Sequence, residues 1–147
     1  MKFLTVLLLS LFCSCTLYAG DNTGNIEVII TGFRNSSGKA GVNLFSQNKG
    51  FPGKHEFADK YLFTDIEQNA CKLVFESVPY GSYAISVFHD ENMNDKVDVT
   101  FIGMPKEGVA VSNNVKYRFA PPKFKDSVFV LDSEDKTLKI EIIYLTK

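Results

Sequence analysis

The chain has 147 residues, 45% of them hydrophobic, and sixteen basic against seventeen acidic side chains give a net charge of −1. That is enough chain for one domain with a single core, and the balanced, dispersed charge argues against a nucleic-acid footprint. Tryptophan is absent, which weakens the case for a sugar-stacking platform.

The first nineteen residues place Lys2 before an apolar run and close on Ala19. These are the parts of a secretory signal peptide, and the run is short for a membrane-spanning helix. The expected organisation is a signal over 1–19 and a single domain over 20–147, secreted or periplasmic. Losing Lys2 with the leader brings the charge to −2. A lipoprotein modified at Cys15, after Ser14, is the competing address, and only that route would tether the domain to a membrane. Cys13 and Cys15 fall in the leader, so Cys71 is left without an internal disulfide partner. It alternates with Leu73 and Phe75 and reads as a buried thiol acting as a small apolar side chain.

Period-two alternation dominates the rest. Ile26, Val28 and Ile30 form the first apolar set, and Ala40, Val42 and Leu44 the second, after the turn-forming Asn35-Ser36-Ser37-Gly38. Residues 47–70 are the least regular stretch. Within it, Lys54 to Phe63 reads as a short helix with Phe57, Ala58, Tyr61 and Leu62 on one side. Cys71, Leu73 and Phe75 then alternate, and Val78-Pro79-Tyr80-Gly81 turns the chain into Tyr83, Ile85 and Val87. A strand over Ser127 to Leu131 and another carrying Leu138, Ile140, Ile142 and Tyr144 complete the set. The pattern predicts an all-β protein: an antiparallel Greek-key β-sandwich of immunoglobulin type with about seven strands, each sheet wet on one face.

One stretch has a definite chemical reading. After His89, oxygen-bearing side chains recur at every second position, Asp90, Asn92 and Asn94, followed by Lys96 and Asp98. That spacing suits a loop wrapping hard oxygen ligands around calcium, with Lys96 contributing its backbone carbonyl. Asp95 stands where the helical calcium hand needs glycine, so it must turn left-handed, which aspartate tolerates better than most residues. Phe101 stands where that hand has its bidentate glutamate. The site is therefore expected to be weak, about 0.1 to 1 mM, unless Glu91 or Glu107 folds over it. The competing reading is an Asx-rich hairpin that bonds its own backbone without an ion. His89 continues the inward set of Tyr83, Ile85 and Val87, and faces away from Asp90. The Gly-, Pro- and Asn-rich segment from Phe101 to Phe124 is long for a compact domain, so function or specific pinning is expected. Glu107, Asn113 and Asn114, together with His89, are its candidate binding residues.

The run from Val78 to Ile85 leads into His89-Asp90-Glu91-Asn92. With Gly103-Met104-Pro105-Lys106-Glu107-Gly108, Ser112-Asn113-Asn114 and Pro121-Pro122-Lys123-Phe124, it resembles a family of exported bacterial proteins, domain of unknown function number 2141. The resemblance covers nearly the whole of 20–147. Asp95 departs from the family's usual glycine, as does Ala110. The resemblance implies export and a sandwich similar to transthyretin-like and carboxypeptidase-regulatory-like domains, with no established activity. The expectation is an exported, non-catalytic binding or interaction module for a protein or small-molecule ligand, with no nucleic-acid partner and a calcium-stabilised hairpin. The alternative is a metal-assisted hydrolytic enzyme using His89 with neighbouring carboxylates.

Overall fold

The computed structural model describes residues 22–118 and 120–146; the leader and Cys15 lie outside them. Eight strands form two sheets. β1 (Thr23–Thr31) lies between β4 (Ala70–Pro79) and β8 (Asp135–Glu141) in a three-stranded sheet. The second sheet runs β3 (Lys60–Asp65), β2 (Lys39–Phe45), β5 (Gly81–Asp90), β6 (Val109–Val111), with β7 (Phe129–Leu131) also on β5. The all-β sandwich expected from alternation is what forms.

The core lies between the sheets. Ile26, Val28 and Ile30 of β1 and Phe75 of β4 face Ala40, Val42 and Leu44 of β2 and Tyr83, Ile85 and Val87 of β5. In both sheets the inward set is every second residue, because successive side chains leave a strand on opposite faces. Cys71 is half-buried against this core, and burial pushes its thiol up to about 11, as suits a thiol used for packing.

Three expectations are corrected. The sandwich is not wholly antiparallel: β8 pairs with β1 in parallel, Val28 opposite Leu138. Alternation is blind to strand direction, since the same apolar face serves either pairing. The expected helix over 54–63 is instead a 3-10 turn at His55–Phe57 followed by β3. Its apolar spacing fitted both periods, and pairing decided: Tyr61 and Phe63 lie opposite Asn43 and Gly41 and stack edge to face.

The third correction positions the site. The second sheet is not wet on its outer face, because Ala84, Ser86, Phe88 and Asp90 of β5 are as buried as its inward set. Two irregular segments cover them. Phe51 stacks edge-on between Phe45 and Phe124, at 5.4 and 5.7 Å. The Ser86 hydroxyl donates to the Pro52 carbonyl (2.7 Å) and accepts from the Asn43 amide (3.2 Å). The edge of the Phe88 ring lies against Gly41, where a Cβ would stand 2.3 Å from it. β6 and β7 both take the β5 edge that β2 leaves free. Ser112 closes the gap between them, accepting the Ile85 N–H at 2.9 Å and donating to the Ser127 carbonyl.

Candidate functional site

β5 ends on His89 and Asp90, two fully buried polar residues on opposite faces. His89 turns inward. Its Nε2 donates to the Ser37 carbonyl (2.7 Å), leaving Nδ1 facing the Tyr144 hydroxyl at 2.8 Å, and its ring stacks edge-on with Phe33. The Tyr144 oxygen in turn accepts the Arg34 backbone N–H at 3.0 Å. Both imidazole nitrogens are therefore committed to framework bonds. Above them the Arg34 guanidinium pairs with Glu91, and that contact, with the Asn35 amide, holds the Glu91 carboxyl below the usual carboxylate range.

Asp90 turns the other way and closes its own loop. One carboxylate oxygen accepts the Asn94 N–H (3.0 Å), the other the Asp95 N–H (2.9 Å). Asp95 is left-handed, with φ of 62°, as its place in the loop demands. Asn94 Oδ1 accepts the Lys96 N–H at 3.2 Å, an Asx turn. Of the five residues spaced for calcium, the fold brings three side chains to one point: Asp98 receives the amides of Asn92 (2.7 Å) and Asn94 (3.1 Å). The Asp90 oxygens are instead taken up by the backbone N–H groups they cap. Among the described residues no three His, Cys, Asp or Glu side chains gather as a metal-holding group. The donor set on offer is thus one carboxylate and two amides, hard oxygen chemistry of low charge.

Glu107 extends this closure to the next loop. It is almost wholly buried, and its two oxygens accept the N–H groups of Glu91 (3.0 Å) and Asp98 (2.9 Å). Desolvation, reinforced by the Asp98 and Asp90 charges, raises its carboxyl above the usual range in spite of those two bonds. Beyond Asp98 the chain makes a small pinned hairpin. Val99 bridges to Pro105, Thr100 N donates to the Met104 carbonyl (2.7 Å), and Lys106 N to the Asp98 carbonyl (2.8 Å). At its tip Phe101 is completely exposed, with Ile102 65% and Val99 51% exposed. Apolar side chains are here held out into water by a closed hydrogen-bonded frame.

Under this lip, on the outer face of the second sheet, lies a cleft of about 830 Å³. Phe51 and Pro52 form one wall, Phe88 and Val109 the floor, and Val97, Val99, Ile102, Met104 and Pro105 the other wall. Tyr117 and Pro121 close one end, and burial pushes the Tyr117 phenol up to about 12, so it stays a neutral hydrogen-bonding group. Sequence reading missed this cleft. The signal was present in Val97, Val99, Phe101, Ile102 and Met104, an apolar run in a polar loop with no strand to receive it. Asn113 and Asn114, both left-handed, lie elsewhere. Asn113 donates to the Asp126 and Val128 carbonyls, and Asn114 brackets β8 through the Lys139 carbonyl and the Glu141 N–H. They fasten the long segment to the sandwich.

No helix among the described residues is long and apolar enough to cross a membrane. No curated protein and no solved structure matches the chain. One family profile does, over residues 28–139, which include most of both sheets, the Asp90 loop and most of the cleft. The chain belongs to that family, described as an uncharacterized protein conserved in bacteria (DUF2141).

Proposed function

We propose that the protein is an exported, non-catalytic module that binds a small apolar-bodied ligand in the cleft on the outer face of its second sheet. The observation that carries this reading is the cleft itself, about 830 Å³ under a rigidly held apolar lip. Its size falls within the range of ligand pockets, and such sites are mostly apolar and largely preformed. The Asp90 loop acts as the brace. Asp90 shapes the turn, Glu107 ties that turn to the lip, and Lys96 and Val97 pass from the loop into the cleft wall. Calcium adds to the brace weakly. Asp98 holds it together with Asn92 and Asn94, whose amides turn over to present oxygen. Export rests on the leader-like sequence of residues 1–19.

The test is amide-resolved NMR with a panel of small apolar compounds. Shifts are expected to cluster at Phe51, Phe88, Val97 to Met104 and Val109. Shifts scattered over both sheets, or none at all, would sink the reading.

A further inference from the structure

The cleft's charges are one-sided. Lys49, Lys54, Lys96 and Arg118 line it, and among the described residues no aspartate or glutamate does, although acids outnumber bases in the chain as a whole. The cations come from two separate walls, so no single lysine-rich stretch accounts for them. Lys49 is further held in place, its ammonium 4.4 Å above the Phe57 ring. Between these cations the lining is apolar, and at the mouth Val99 and Ile102 are more than half exposed. Contiguous apolar surface rimmed by charge marks a site that a partner molecule covers.

We propose that the ligand is an organic anion with an extended apolar body: a carboxylate or phosphate head answered by the lysine rim, and a hydrocarbon part lying on Phe51, Phe88, Val99, Ile102 and Met104. The proposal rests on the cleft being the binding site. A cationic amphiphile would be repelled by the rim, and an uncharged one would gain the apolar contacts alone. These cations gain most when an anion both pairs with them and accepts their hydrogen bonds. The same cations draw an anion in from solution and weaken with added salt.

The test is isothermal titration calorimetry of the purified protein with decanoate, decyl phosphate, decanol and decyltrimethylammonium, each below its micelle concentration. One molecule of an anion is expected to bind, about tenfold more tightly than decanol, the equivalent of about 1.4 kcal/mol. The trimethylammonium compound should be weaker than decanol. The better of decanoate and decyl phosphate identifies the head group. The double variant Lys54→Gln, Lys96→Gln should weaken the anion severalfold more than it weakens decanol, and added salt should weaken the anion alone. Decanol binding as tightly as both anions, or an anion unaffected by the double variant, would overturn the anion assignment and leave the cleft standing. Failure of all four compounds to bind would overturn the cleft reading itself.

Discussion

The loop from Asp90 to Asp98 and the cleft beside it share Lys96 and Val97, yet they handle their surface in opposite ways. In the loop, the carboxylate oxygens of Asp90 and Asp98 each meet an N–H, and Glu107 does the same from outside. In the cleft, Val99 and Ile102 are left more than half exposed over an open apolar floor. Polar groups can satisfy one another locally, so a chemically conspicuous loop can be complete in itself. Apolar surface has no such local remedy and needs something to cover it. This contrast is what supports the proposal that the loop braces and the cleft binds.

The sharpest way to break that comparison is to disturb the cleft floor. Gly41→Ala would put a methyl group 2.3 Å from the Phe88 ring, with the Phe63 ring also close. Overpacking of this kind costs about 3 kcal/mol. Urea unfolding should show a midpoint lowered accordingly, and an unchanged midpoint would mean that Phe88 is not held against Gly41.

The loop is next. Asp90→Ala removes the acceptor for two N–H groups at once and should cost about 2 kcal/mol. Asp90→Asn, keeping one oxygen, should recover part of it. Because Asp90 caps backbone, the loss should be the same in chelator and in calcium. A loss seen only in calcium would make Asp90 a metal ligand after all. Calcium itself should do less to the parent protein. With a dissociation constant of about 1 mM, 10 mM calcium adds about 1.4 kcal/mol, a shift of a few degrees in thermal unfolding relative to chelator. Asp98→Asn should abolish that shift.

How much of this was legible follows from where each signal is stored. Ile26, Val28 and Ile30 announce β1 because one strand's alternation lies within one stretch of chain. β6 is only Val109–Val111, buried throughout, too short to establish a period. The left-handed Asp95 was readable, since a tight loop of that spacing requires it. The direction of β8 was not, because Leu138 and Ile140 present the same face either way. The cleft was hardest: its floor comes from β5 and β6, and its walls from residues 49–57 and 96–122. The anchors that assemble it, Ser86 on the Pro52 carbonyl among them, join residues with no local pattern in common. Only the unreceived apolar run from Val97 to Met104 hinted at it.

Glu107 provides the finest test of how brace and cleft are joined, because its charge carries a sign that pH can read. Burial raises its carboxyl above the usual range, so the folded protein takes up that proton before the unfolded chain does. Stability then falls as pH rises through the window between the ordinary carboxylate range and the raised value, and the cost is complete above it. Glu91, held low by Arg34, acts in the opposite sense and in a separate window: its stabilisation is lost only as pH falls below the ordinary range. Glu107→Gln should remove the upper slope and leave the lower one. It turns an amide toward the N–H of Glu91 or Asp98, so at neutral pH it should change stability by only about 1 kcal/mol, the lost bond being offset by the removal of a buried charge. Amide exchange over Val99 to Met104 should nevertheless quicken, since the tie from the Asp90 loop to the lip is halved. An unchanged upper slope would mean that another group titrates there. Unchanged exchange would mean that the lip holds itself without the brace.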